Sequence, residues 1–287
     1  FEPPHFGPGA TVGGMVAAGL SGPARASVGA VRDYVLGVSL INGRAEPLTF
    51  GGQVMKNVAG YDVSRLMAGS WGTLGLLTEV SLKVLPVAPA EATLRFECNQ
   101  ADALRKLHAW GGQPLPLNAS CWVQDGGVGT LYVRLRGAVA AVQAACKTMG
   151  GTLLDNATTA PDWSACRDHT LPWFTQRAQQ PDLALWRLSL PATAPVLALP
   201  AAAQPLVEWH GALRWVQAPA SAGDALRAAA EAVGGSASVF VAASAYPESA
   251  SGQFDAKSAA LAKIHARVKQ AFDPAGIFNP GRLAAAW

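Results

Sequence analysis

The chain has 287 residues, of which 50% are hydrophobic and 14% are charged, and its formal net charge is +3. This length allows about two domains of roughly 150 residues each, and the composition is that of a globular chain. The small, dispersed charge gives no argument for nucleic acid or an anionic membrane as a partner. The longest apolar stretch, 194–207, is interrupted by prolines, so we expect no transmembrane segment.

The cysteines and histidines form no recognisable metal site. The four cysteines include no C-x-x-C pair, and the five histidines include no H-x-H or H-x-x-x-H pattern. We therefore expect reduced, buried cysteines. We assign no metal-binding residue and no catalytic residue in this chain.

The first informative segment is GATVGGMVAAGLSG, which starts at Gly9. Backbone amides beside Thr11, Gly13 and Gly14, at the start of a short helix, can donate to phosphate oxygens, and the missing side chains allow close approach. The alternative is a tight turn that packs small residues such as Ala17 against a sheet.

A β-hairpin is predicted over residues 34–50. Two apolar runs, YVLGVSLI and EPLTF, flank Asn42 and Gly43. Asn-Gly is the favoured pair for a two-residue type I′ turn, so we expect that turn here.

Residues 51–85 predict a Gly-rich turn, a short helix, a second Gly-rich turn and a strand. Asp62 is expected to cap a helix over 63–68 that ends at Gly69. In the strand, Val80, Leu82 and Val84 share one face and Glu79, Ser81 and Lys83 the other.

Two further features of this region bear on ligand binding. Gly75 and the residues LLT that follow it form a backbone edge that can bracket an adenine or ribose. The alternative is an ordinary entry into the strand. The loop before the helix contains Lys56, Asn57 and Tyr61. We expect Tyr61 to pack within the structure rather than over a ligand.

Three segments together resemble a known family. GSWGTLGLLTE, GATVGGMVAAGLSG and the C-terminal FDPAGIFNPGRL match, in order and spacing, the FAD domain of the vanillyl-alcohol-oxidase (PCMH) family. The resemblance is close over 1–86 and 272–283. Within that family, KNVAGYDVSRLM is most similar to the FAD-binding subunits of bacterial glycolate oxidase (glycolate dehydrogenase) complexes.

The resemblance implies a bound FAD. The residues that it places at the cofactor are Ala10, Thr11, Gly13, Gly14, Ala17, Gly19, Gly75, Leu76, Leu77, Thr78 and Asn279. Arg282 is expected to reach the flavin with Asn279, where its charge would stabilise the reduced form. A C-terminal turn with a solvated arginine is the alternative.

The resemblance also implies an activity and partners. The activity is flavin-dependent oxidation of glycolate and related 2-hydroxy acids, with a catalytic flavoprotein subunit and an iron–sulfur subunit as partners. It implies a cytoplasmic location and leaves open a peripheral association with the inner face of the membrane. A stand-alone FAD-dependent D-lactate or 2-hydroxy-acid dehydrogenase and a cofactor-free scaffold subunit are the alternative functions.

The family pattern divides the chain into three parts. Residues 1–88 correspond to the C-terminal lobe of the FAD domain, 89–245 to an α+β cap domain, and 246–287 to a helix and NPGR segment that returns to the flavin. No initiator Met is present and nothing matches the family's N-terminal lobe. We therefore expect an N-terminally truncated chain that binds FAD weakly or not at all by itself.

The cap is predicted to be an antiparallel sheet of duplicated ferredoxin-like halves, which places the chain in the α+β class. Residues 90–155 give the order βαββαβ, and 206–242 repeat its last part, with Gly-Gly after each helix. The segment 155–182 is expected to be a loop crossover or a subunit contact. Five tryptophans are expected in the cap core: Trp110, Trp122, Trp186, Trp209 and Trp215.

A last helix is predicted over 257–271. Leu261, Ile264 and Val268 form its apolar stripe, and Lys269 lies outside that stripe. The Asp-Pro pair that follows is expected to end the helix.

Overall fold

The computed structural model describes residues 1–53, 60–200, 203–244 and 259–284. Within these residues the strands form a three-stranded sheet near the N-terminus and an eight-stranded sheet beyond it, both antiparallel. The predicted α+β class is confirmed. No helix in the described ranges combines the length and the apolar character that crossing a membrane requires.

The smaller sheet has its first strand in the centre. Its elements are α1 (Val12–Ala18), α2 (Arg25–Val28), β1 (Val35–Ile41), β2 (Pro47–Gly51), α3 (Val63–Met67) and β3 (Leu76–Leu82). Asp62 caps α3 as predicted, because its Oδ1 accepts from the Arg65 amide at 3.0 Å. Val80 and Leu82 pack in the core, whereas Val84 lies beyond the strand and is 81% exposed.

The predicted hairpin is confirmed, but its predicted two-residue turn is wrong. The loop is longer, and the Asn42 side chain organises it by accepting from the amides of Arg44, at 2.9 Å, and Glu46, at 3.0 Å. Gly43 has a different role. A Cβ there would collide with Asp273, which follows the C-terminal helix, so Gly43 permits close packing between distant segments.

The larger sheet and its helices occupy most of the remaining chain. The elements are β4 (Ala90–Glu97), α4 (Gln100–Gly111), β5 (Leu117–Asp125), β6 (Val128–Gly137), α5 (Val139–Met149), β7 (Thr152–Leu154), α6 (Asn156–Arg167), α7 (Pro172–Thr175), β8 (Leu183–Ser189), β9 (Leu206–Glu208), β10 (Leu213–Pro219), α8 (Gly223–Glu231) and β11 (Ser236–Val241).

This sheet consists of two ferredoxin-like halves. Its strand order is β11-β8-β10-β9-β5-β6-β4-β7, in which β4–β7 form one half and β8–β11 form the other. In each half the third strand lies between the first and the second, and the fourth strand lies beside the first. The halves join where β5 pairs with β9, with Cys121 opposite Glu208. The predicted duplication is confirmed. The sequence interpretation missed β8, the first strand of the second half.

Helices cover both faces of the larger sheet. Helices α4, α5 and α8 pack on one face, and α6 and α7 pack on the face that meets the N-terminal segment. The expectation of a loop over 155–182 is therefore wrong, because Trp163, Cys166 and Phe174 bury enough apolar surface to hold two helices there. The five cap tryptophans are all buried, as predicted, and the four cysteines are free.

The C-terminal helix α9 (Ala259–Phe272) differs from the prediction in its buried face. Leu261 and Ile264 are 43% and 56% exposed, whereas Val268 packs against the smaller sheet. Lys269, expected outside the apolar stripe, is only 6% exposed. The segment boundaries at 88/89 and 245/246 stay a prediction.

Candidate cofactor-binding site

The start of α1 is held by Thr11. Its Oγ1 accepts from the Gly14 amide at 3.0 Å, and its carbonyl accepts from the Met15 amide at 2.9 Å. The Gly14 amide is therefore already used. The first helical amides, those of Val12 and Gly13, have no intrahelical acceptor and remain the donors that this turn can offer a ligand.

The same helix meets the strand β3. A Cβ on Gly13 would lie 3.9 Å from the Leu77 Cβ, so the two predicted cofactor segments are neighbours. Leu76 and Thr78 face outward at this edge. Gly75 has a packing role, because a Cβ there would lie 2.7 Å from the carbonyl oxygen of Ile41.

The end of α1 contacts the loop before β3. The Gly69 amide donates to the Val16 carbonyl at 3.0 Å, and the Trp71 amide donates to the Ala17 carbonyl at 2.8 Å. A Cβ on Gly19 would lie 2.7 Å from the Gly69 nitrogen. Only a residue without a side chain allows the helix end and the loop to approach this closely.

The NPGR segment completes the arrangement from the far end of the chain. The Asn279 side-chain amide donates to the Trp71 carbonyl at 2.8 Å, and the Arg282 guanidinium lies 5.0 Å from the centre of the Trp71 ring. Trp71 and Asn279 have φ of +54° and +43°, a conformation that costs free energy and is enriched at functional sites. The sequence reasoning missed Trp71, although it occupies the variable position of GS-x-GT.

A buried ion pair anchors these segments. The Lys269 ammonium donates to the carbonyls of Thr73 and Phe278 at 2.8 and 2.9 Å, and pairs with Asp273 at 2.6 Å. Burial alone would raise the pKa of Asp273. Lys269 and the amides of Phe278 and Ile277 outweigh burial and hold that pKa below its usual value.

The converging segments enclose an open cavity of about 750 Å³, which we call the glycine groove. It is lined by Gly14, Ala17, Ala18, Trp71, Gly72, Asn279, Pro280, Gly281 and Arg282. Most of these residues have no side chain beyond a Cβ or a proline ring. The groove therefore has room for a large planar ring system beside Trp71 and Arg282.

A second cavity, of about 490 Å³, lies between this groove and the larger sheet, and we call it the junction cavity. Its lining includes Phe6, Ala18, Trp71, Asp168, His169, Phe174, Arg187, Phe240 and Arg282. The two cavities share Ala18, Trp71 and Arg282. A ligand in the groove would thus be adjacent to one in the junction cavity.

Comparison with known proteins identifies the family of the chain. No family model matches it. Over 284 residues, 99% of this chain and 75% of the relative, it is 44% identical to the glycolate oxidase subunit GlcE of Escherichia coli K12. The chain belongs to the GlcE family of glycolate oxidase subunits.

Solved structures show that this member of the GlcE family has a fold found in other oxidoreductases and in a synthase. An alkyldihydroxyacetonephosphate synthase aligns with a TM-score of 0.66 and 16% identity, over 98% of this chain and 60% of that one. A glucooligosaccharide oxidase of Acremonium strictum, which carries 6-S-cysteinyl, 8α-N1-histidyl FAD, aligns with a TM-score of 0.56 and 12% identity, over 100% and 74%. At such identities the likeness concerns the fold alone, and it confirms the predicted fold class.

In this GlcE-family chain, a strained turn fixes the larger sheet against the N-terminal segment. Trp209 and His210 have φ of +52° and +55°. The Trp209 indole donates to the Gly22 carbonyl at 3.0 Å, and the Arg25 guanidinium lies 4.5 Å from the centre of its ring. His210 Nε2 lies 3.2 Å from Ser27 Oγ. These contacts join the larger sheet to the N-terminal segment, next to Arg187 of the junction cavity, whose guanidinium lies 5.3 Å from the centre of the Trp209 ring.

The loop before α3 contributes no described residue to either cavity. Lys56 and Asn57 lie outside the described residues. Tyr61 is 97% exposed, so the expectation that it packs within the structure is wrong. Across the ranges that the structure describes, no three His, Cys, Asp or Glu side chains are grouped closely enough to hold a metal ion.

Proposed function

We propose that this chain is the FAD-binding subunit of a glycolate oxidase complex, which oxidises glycolate and related 2-hydroxy acids to 2-oxo acids. The alignment with E. coli GlcE over 99% of the chain carries the proposal. In the complex, a catalytic flavoprotein subunit performs the substrate chemistry and an iron–sulfur subunit passes the electrons on. We place the complex in the cytoplasm.

The glycine groove is the proposed flavin site. Its floor of Gly14, Ala17 and Gly72 allows a flat ring to approach the backbone, and Asn279 keeps the Trp71 loop in place. Bound FAD supplies a two-electron acceptor. Arg282 stands where its positive charge would stabilise the negative charge that the flavin gains on reduction.

The remaining sequence-predicted residues have supporting roles in this proposal. Thr11 holds the turn that presents the Gly13 amide, and Ala10 precedes it. Leu76, Leu77 and Thr78 form the neighbouring edge. Gly19 and Gly75 act through packing, because side chains there would displace the Gly69 loop and β1 respectively.

Three glycine-to-valine variants of the full-length subunit test the groove. Gly14→Val fills the groove at a helical position and should lower flavin content at least tenfold while the protein remains folded. Gly111→Val, at the end of α4 in open space, is the matched control and should keep its flavin. Gly75→Val should instead destabilise the smaller sheet. The measurements are the 450 to 280 nm absorbance ratio and urea unfolding; stoichiometric flavin in Gly14→Val would contradict the site.

The partner assignment has a separate test. The isolated full-length subunit should reduce a dye with glycolate at a negligible rate, and co-expression with the catalytic and iron–sulfur subunits should restore the activity. Flavin content is measured on each preparation, so that loss of cofactor is not mistaken for dependence on a partner. An isolated subunit that turns over glycolate as fast as the complex would favour the stand-alone dehydrogenase.

A further inference from the structure

Arg187 carries a charge that no direct polar contact neutralises. It lies on the face of the larger sheet that carries Trp215, and its guanidinium forms no hydrogen bond or ion pair with any residue that the structure describes. It packs 5.3 Å from the centre of the Trp209 ring and lines the junction cavity. Burial lowers the pKa of Arg187 to about 10, so it is still charged at neutral pH. The charge that attracts it is the buried carboxyl of Glu208, which with a pKa of about 7 is only partly ionised at neutral pH and already accepts from Trp215 and Cys166. A largely buried charge without a direct partner is costly, and a ligand in the cavity would supply the missing negative charge.

Aromatic rings form another part of the lining of the junction cavity. His169 stacks on Phe174 with ring centres 4.4 Å apart, and Phe240 lies 5.3 Å from it, edge to face. Burial lowers the pKa of His169 to about 4, so this ring is neutral at pH 7. The neighbouring Asp168 does not neutralise Arg187, because it is already paired with Arg167 at 2.6 Å.

We infer that the junction cavity binds a monocarboxylate with an apolar substituent, its carboxylate on Arg187 and its substituent against the rings of His169, Phe174 and Phe240. A guanidinium matches a carboxylate with two parallel hydrogen bonds. The volume of about 490 Å³ is typical of a site for a larger ligand, and a two-carbon acid would leave most of it empty. The inference rests on the proposed function, since the cavity shares walls with the proposed flavin site.

Three chemically matched probes test this inference on the full-length subunit by isothermal titration. Mandelate carries both the carboxylate and a ring, glycolate lacks the ring, and 1-phenyl-1,2-ethanediol replaces the carboxylate with a neutral group. Mandelate should bind at least tenfold more tightly than glycolate, and the diol should not bind measurably. Arg187→Met should weaken mandelate binding at least tenfold, Arg187→Lys should weaken it less, and Arg105→Met, on the exposed side of α4, should leave it unchanged.

The outcomes separate this inference from the proposed function. Circular dichroism first verifies that each variant is folded, and flavin content is measured on every sample. Equal binding of diol and mandelate, tighter binding of glycolate or inorganic phosphate than of mandelate, or full affinity in Arg187→Met would overturn the inference. If the protein holds flavin but does not bind mandelate, the inference is overturned and the proposed function is not affected. Mandelate binding that depends on Arg187 in protein unable to hold flavin would support the inference and contradict the proposed flavin site.

Discussion

Replacing Lys269 with methionine should destabilise the fold and, with it, the proposed flavin site. The substitution keeps the length of the side chain but removes an ammonium that pairs with Asp273 and donates to Thr73 and Phe278. Asp273 is 2% exposed, so its carboxylate would be left without a counter-ion in a place that water scarcely reaches. Two carbonyls would also lose a donor.

The size of the effect follows from burial. Removing one partner of a buried ion pair costs about 3–5 kcal/mol, because the remaining charge is desolvated and unpaired. The amides of Ile277 and Phe278, which also donate to Asp273, would compensate for part of that cost. We therefore expect Lys269→Met to lower the free energy of unfolding by about 3 kcal/mol. Adding Asp273→Asn should recover part of the loss by removing the charge.

Urea unfolding followed by tryptophan fluorescence measures this loss. Lys263→Met is the matched control, because Lys263 lies on the same helix α9 and is exposed. The control should change stability by less than about 0.5 kcal/mol, as is usual for surface substitutions. A loss below about 1 kcal/mol in Lys269→Met, or no recovery in the double variant, would refute the reasoning.

Two further predictions concern the larger sheet. Burial raises the pKa of Glu208 from 4.5 to about 7, and the hydrogen bond from the Trp215 indole opposes part of this rise. The stabilising contribution of protonated Glu208 is therefore complete below pH 4.5 and is lost as the pH rises through 7. The free energy of unfolding should therefore fall by roughly 3 kcal/mol over that pH range, and Glu208→Gln should flatten the dependence of this free energy on pH. The same pH dependence in both proteins would contradict a raised pKa of Glu208. Trp209→Phe should lower stability by about 1 kcal/mol, because the Gly22 carbonyl loses the indole donor and keeps only the Arg25 amide at 3.2 Å, and thermal unfolding beside wild type measures the difference.

Local signals in the sequence were sufficient for much of the fold. Asp62 directly before a short apolar helix identifies an N-cap, and the alternation around Val80 and Leu82 identifies a strand. The Gly-Gly pairs after two helices, with matching strand patterns, identify the duplication. Such signals depend on neighbours within a few residues, so they can be read without knowing the tertiary structure.

Other features were decided by contacts between distant segments. Strand β8 is apolar on both faces, with Leu185 and Trp186 in different cores, so it has no alternation to reveal it. Lys269 resembles any surface lysine of an amphipathic helix, yet it is buried, and the carbonyl of Thr73, 196 residues away, accepts a hydrogen bond from it.

The cavities follow the same rule. Arg187 and Trp71 carry no local mark of a site. Arg187 lines a cavity because the larger sheet packs against the glycine-rich loop, and Trp71 lines one because the NPGR segment returns to that loop. The sequence determined where the glycine-rich segments lie, because glycine spacing is a local requirement of backbone approach. Only the tertiary structure decided which charged groups are desolvated and which cavity they face, because desolvation depends on everything that packs around a group.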